Sequence, residues 1–91
     1  MPIFKKTAIL GTGTMGPGMG AVLERAGSET HLFDISTDAL EKAAAGVEMA
    51  RGVLDRLEAP SESGGSIVYS SSLEEAIAGA DLVIEAIPEK I

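Results

Sequence analysis

The chain has 91 residues, 45% of them apolar and 23% charged, a balance that fits one small folded domain with a modest core. Fourteen acidic against seven basic side chains leave a net charge of −7, which excludes a basic surface for nucleic acid or anionic lipid, so neither is expected as a partner. The absence of cysteine excludes disulfides, thiolate metal sites and cysteine nucleophiles, and one histidine, at position 31, leaves little for a metal centre.

The apolar run Thr7-Ala8-Ile9-Leu10 predicts a short buried parallel strand, ended by Gly11. Four residues are too few for a signal peptide, and no run in the chain approaches the roughly 18 apolar residues of a membrane helix. A cytoplasmic location, away from membranes, is therefore expected. From about residue 14 to Ala26, Met15, Met19, Val22, Leu23 and Ala26 recur at helical spacing, with Glu24 and Arg25 left for solvent. Gly27 stands where a helix C-terminus needs it, and Pro17 falls in the first turn, where no intrahelical hydrogen bond is lost.

Thr30 to Phe33 predicts a second strand closing on Asp34. Ser36 or Thr37 can cap a long helix to about Glu58, with Leu40, Ala43, Ala44, Val47, Ala50, Leu54 and Leu57 along one face. Residues 59–65 are polar and rich in turn formers, the one linker-like stretch. A third strand follows over 66–69, then a short helix opened by the capping-box pair Ser72 and Glu75 and stopped by Gly79. The last element, Asp81 to Ile87, is a strand broken by Pro88. The order β-α-β-α-β-α-β with short connections implies a parallel sheet with right-handed crossovers.

The stretch Gly11-x-Gly13-x-x-Gly16 lies between the first strand and the first helix. There the first glycine permits a tight turn, the second lets a pyrophosphate approach bare backbone, and the third lets the helix pack close to the sheet. Gly20, one turn on, extends that closeness. The helix N-terminus offers free N–H groups and partial positive charge to phosphates, which is how an acidic chain can hold an anion. Asp34, 21 residues after Gly13, ends the next strand at the spacing of an adenosine-ribose acceptor. Its charge would repel a 2′-phosphate, and Ile35-Ser36-Thr37-Asp38 offers no Arg or Lys to receive one. The residues thus read as a Rossmann-type α/β dinucleotide site, sheet order 3-2-1-4, that prefers NAD to NADP.

Other polar positions are assigned plainer roles. His31, at the start of the second strand and away from the cofactor end, reads as structural or surface. Met15 and Met19 read as core filling. Glu41, Glu48, Glu58, Glu74 and Glu75 read as solvated helix faces, and Asp81 as the start of the last strand. Glu85 reads either as tilted to solvent at the sheet edge or as marking a place where a further element packs.

With these pieces in place the chain resembles the N-terminal domain of the 3-hydroxyacyl-CoA dehydrogenase family. The resemblance rests on Ile9-Leu10-Gly11-x-Gly13-Thr14-Met15-Gly16-x-Gly18, on Phe33-Asp34-Ile35, and above all on residues 80–89, Ala-Asp-Leu-Val-Ile-Glu-Ala-Ile-Pro-Glu. It covers nearly all 91 residues. It implies that Gly11, Thr12, Gly13, Thr14, Met15 and Gly16 hold the pyrophosphate, Asp34 the adenosine ribose, and Glu89 the nicotinamide-side edge. The family's histidine–glutamate pair and its helical dimerisation domain would lie beyond Ile91, so residues 1–91 read as the cofactor-binding part of a longer enzyme. No catalytic residue is expected within them, nor activity from them alone. The helical excursion between the second and third strands is shorter than family members usually show.

The resemblance implies an NAD-dependent oxidoreductase passing hydride to or from a 3-hydroxyacyl substrate, in fatty acid metabolism. Two alternatives stay open: a related hydroxyacid or alcohol dehydrogenase, and a stand-alone nucleotide-binding module without chemistry. The fourth strand is expected at an open sheet edge. Apolar edges self-associate, so a homo-oligomer through residues 82–87 is expected.

Overall fold

A computed structural model describes residues 4–86. Four parallel strands, β1 (Lys6–Leu10), β2 (Glu29–Phe33), β3 (Ser66–Ser70) and β4 (Leu82–Glu85), form one sheet in the order β3-β2-β1-β4. Three helices connect them: α1 (Gly16–Arg25), α2 (Thr37–Arg56) and α3 (Leu73–Ile77). The register sets Ile9 beside Leu32 and Ile84, and Ala8 beside His31 and Val83. Because strand side chains alternate, these two rows face opposite sides of the sheet. Ile9 and Leu32 pack with Ala21 of α1 and Val47 of α2, which form the main core, while α3 lies against the other face.

The small residues of α1 decide how near it lies. Gly16, Pro17, Gly20 and Ala21 are its buried positions. A Cβ at Gly20 would stand 3.4 Å from Leu32, and one at Gly46 of α2 would come within 2.9 Å of Pro17. Gly46 is thus the place where α2 crosses α1, which offsets the roughly 1 kcal/mol a glycine costs a helix interior. Among the described residues the expected boundaries hold to within two residues, the end expected for the last strand at Ile87 lying outside them, and α1 begins at Gly16 because the turn before it stays non-helical through Thr14.

Four expectations need correction. Met15 is 70% exposed and does not fill the core, whereas Met19 does pack against it. Leu57, expected on the buried face of α2, is 72% exposed. Glu24 and Arg25 are not simply solvated, because each reaches α2. Arg51 grips Glu24 bidentately at 2.9 and 2.6 Å and also meets Glu48. Arg25 bonds Asp55 at 2.7 Å and the carbonyls of Ala59 and Pro60 just past α2. His31 lies mid-strand, its Nε2 2.7 Å from Glu29 and its Nδ1 buried without a partner. Glu85 is exposed.

Asp81 does more than begin a strand. Its carboxylate accepts the N–H groups of Lys5 at 2.8 Å and Lys6 at 3.2 Å, tying the start of β1 to that of β4. Lys6 in turn donates Nζ to the carbonyls of Glu75 and Ala78, closing the C-terminal end of α3. Ser72 caps α3 through the Glu75 N–H as expected, but its own N–H goes to Ser70 Oγ, so the capping box is half made.

Helices α1 and α2 end in the same way with different residues. The N–H groups of Gly27 and Ser28 return to Glu24 and Leu23, and those of Glu58 and Ala59 return to Asp55 and Leu54. This six-residue closure needs a left-handed residue, supplied by Gly27 at φ 94° and by Glu58 at φ 54°. A side chain is strained there, so Glu58→Gly should raise stability by about 1 kcal/mol. Gly27→Ala should lower it, its Cβ also meeting Ser63 O at 3.2 Å. Thermal melts check both; equal shifts of the same sign would contradict this account of the helix ends.

Candidate cofactor-binding site

The sheet ladder continues past the strand ends and so fixes the loops above them. Gly11 N–H bonds Phe33 O at 2.8 Å, Ala86 N–H bonds Leu10 O at 2.8 Å, and Asp34 N–H bonds Ser70 O at 3.1 Å. The chain leaves β1 through Gly11 at φ 86°, a value that an L side chain rarely adopts. It then turns into α1 with Gly16 set against the turn: a Cβ there would meet Gly11 O at 3.2 Å and Ile9 at 3.8 Å. The third glycine of the motif is therefore a close-approach residue, as the spacing predicts.

The start of α1 differs from the starts of the other helices. Ser36 caps α2, with Asp38 in its first turn, and Ser72 caps α3, with Glu74 and Glu75 in its first turn. No side chain caps α1, and its first turn carries no acid. Its leading N–H groups and the positive end of its dipole are left to an anion, as a pyrophosphate site requires. Pro17, at the head of the helix, removes one donor that would have no partner there.

Asp34 stands at the tip of β2, directly across from the turn. Its Oδ2 accepts the Thr12 hydroxyl at 2.9 Å and the Thr12 N–H at 3.1 Å, while Oδ1 accepts the Ser36 N–H at 3.0 Å. Burial pushes its pKa up, but the donors from Ser36, Thr12 and Ile35 outweigh this and hold it below the ordinary 3.8. The carboxylate is thus ionised and fixed in direction.

Sequence spacing links Asp34 to Gly13 but gives no sign that Thr12 would be the residue in contact. Thr12, 6% exposed, turns both its donors to Asp34. Met15 points elsewhere, lining with Val22, Met49 and Val53 an open apolar groove of about 860 Å³ beside α1 and α2. Glu89 lies outside the described residues. Among the described residues no three His, Asp or Glu side chains gather as a metal site.

The stability that Asp34 contributes is complete above the ordinary carboxylate value and is lost as pH falls through its depressed folded value. Asp34→Asn should therefore cost about 1.5–3 kcal/mol near neutral pH, the range for hydrogen bonds to a charged group. Thermal melts at falling pH should show that gap closing as the pH drops below the ordinary carboxylate value. A gap independent of pH would contradict the assigned role of these hydrogen bonds.

Comparison with known proteins agrees with this geometry. The family model "3-hydroxyacyl-CoA dehydrogenase, NAD binding domain" matches residues 6–91. A 5-formyl-3-hydroxy-2-methylpyridine 4-carboxylate 5-dehydrogenase of Mesorhizobium japonicum is 41% identical over 91 residues, which cover 98% of this chain and 29% of that protein. A 3-hydroxybutyryl-CoA dehydrogenase of Bradyrhizobium diazoefficiens is 34% identical over 93 residues, covering 97% of this chain and 31% of that protein. A crystal structure of the pyridine-carboxylate enzyme, an NAD+ dependent dismutase, superposes with a TM-score of 0.89 at 39% identity, over 97% of this chain and 29% of that one. The chain thus spans about three tenths of the length of these relatives. Gly11 to Gly16, the bare head of α1 and the ionised Asp34 fit the cofactor these comparisons name, and the chain belongs to the NAD-binding domain family of the 3-hydroxyacyl-CoA dehydrogenases.

Proposed function

We propose that the chain supplies the cofactor-holding part of an NAD-dependent dehydrogenase and leaves the proton chemistry and most substrate contacts to residues outside it. The observation that carries this reading is the uncapped, acid-free start of α1, set by Gly11 and Gly16 beside an ionised carboxylate at the tip of β2. The pyrophosphate would lie on the backbone N–H groups between Gly13 and Gly16, with the adenosine ribose hydroxyls on Asp34. Glu89 would border the nicotinamide side. When bound, NAD supplies the hydride acceptor, and this chain binds and orients it.

The charge of Asp34 disfavours a 2′-phosphate at the same place, so NAD is preferred to NADP. On this reading residues 1–91 alone turn over no substrate. The whole protein would oxidise a 3-hydroxyacyl thioester, in the cytoplasm and in fatty acid metabolism. Among the described residues no helix is long and apolar enough to cross a membrane.

A second reading of the substrate has its own support. The relative named for a pyridine carboxylate is more similar, at 41% identity, than the acyl-CoA relative at 34%. That difference favours a small hydroxy- or formyl-bearing carboxylate over an acyl thioester.

Among the described residues β4 pairs only with β1, and Val83 on it is 47% exposed. A second copy pairing along β4 would cover that edge. Light scattering at rising concentration should then give the mass of a dimer or larger; a strict monomer would contradict the edge pairing.

Calorimetric titration with NAD and NADP tests the cofactor reading. Wild type should prefer NAD, and Asp34→Ala should lose about 1–3 kcal/mol of NAD binding and most of the discrimination, as expected for a lost charged acceptor. Failure of wild type to bind either cofactor would overturn the reading.

A further inference from the structure

Thr12 occupies the first variable position of the glycine turn, where a side chain would be expected to border phosphate. Its geometry points elsewhere. The side chain is buried, and its hydroxyl has two acceptors in reach, Asp34 Oδ2 at 2.9 Å and Ala39 O at 3.5 Å. A hydroxyl has one proton to give, and the shorter, charged acceptor takes it. The N–H of the same residue converges on the same oxygen at 3.1 Å. The other carboxylate oxygen is held by Ser36 N–H at 3.0 Å. Held at both oxygens, the carboxylate cannot rotate about its own axis without breaking a bond; the two Thr12 donors fill the two lone pairs of Oδ2, and Oδ1, which takes the Ser36 N–H, is the oxygen left to accept from a ligand.

We propose that Thr12 is a positioning residue for nucleotide recognition: its hydroxyl holds Oδ2 of Asp34 and so presents Oδ1 to a ribose hydroxyl, and it makes no phosphate contact of its own. This rests on the reading of Asp34 as the ribose acceptor. A fixed acceptor spares the ordering cost that a free rotor would meet on binding. The second residue of the turn thereby serves the ribose end of the site, while the glycines and the head of α1 serve the phosphates. A turn with glycine or alanine at position 12 would keep the N–H clamp alone.

The test is a set of NAD titrations on the full chain as wild type, Thr12→Val, Thr12→Ser, Asp34→Asn and the double variant Thr12→Val/Asp34→Asn. Thr12→Val should weaken NAD binding about tenfold, the weight of one hydrogen bond to a charged group, and Thr12→Ser should restore it to within about twofold. In the Asp34→Asn background Thr12→Val should cost nothing further, because its effect passes through the carboxylate. Thr12→Ala replaces Thr12→Val if thermal melts show that the valine disturbs the turn. Wild-type affinity in the Thr12 variants, no rescue by serine, or equal losses in the two backgrounds would overturn the proposal. Absence of NAD binding by wild type would overturn the Asp34 reading beneath it, and the wild-type titration alone reports that.

Discussion

The structure depends on one close approach, that of α1 to the sheet and to the turn before it. At Gly16 the room left for a side chain ends 3.2 Å away, at the carbonyl of Gly11, and at Gly20 it ends at Leu32. A side chain at Gly16 would press on the Gly11 carbonyl, and one larger than alanine at Gly20 would press on Leu32, moving the helix from β1 and β2 and its N-terminus from the strand ends. With small residues there, the helix axis lies against Ile9 and Leu32, and its leading N–H groups sit beside the tip of β2. One packing constraint thus builds the core and aims the dipole.

The second helix consolidates that placement. Val47 seals the core, Gly46 receives Pro17, and Arg51 and Arg25 bridge the two helices through Glu24 and Asp55. The bidentate hold of Arg51 on Glu24 raises the arginine's already high pKa further, first through the hydrogen bond to Glu24. These pairs are partly exposed, and their weight lies in fixing the crossing of α1 and α2 more than in stability. The polar surface of the fold is therefore organised around the same helix that the glycines bring close.

Most of this architecture is legible in the sequence, because strand ends, caps and breakers act locally. Gly11, Gly27, Ser36, Ser72 and Gly79 mark their turns by residue type, and the order of elements fixes the parallel sheet. The pairing of Asp34 with the glycine turn is legible too, since spacing along a βαβ unit is nearly constant. What escapes is what depends on a partner distant in sequence. Glu24 and Arg25 read as solvated until α2 is seen to lie beside them. Asp81 reads as a strand start until the N–H groups of Lys5 and Lys6 are found on it. Met15 reads as core because helical spacing is counted from a residue that stands just before the helix. Thr12 gives no sign of its role, because its hydroxyl acts across 22 residues of chain.

The central claim is that an anionic dinucleotide is held at the bare head of α1 and the tip of β2. Backbone amide chemical shifts of the isotopically labelled chain during NAD titration test it most directly. The account predicts the largest changes at residues 11–18 and 34–36, with Met49 and Val53, on the α2 side of the apolar groove, unchanged. Changes centred on Met49 and Val53, or none at the glycine turn, would contradict it.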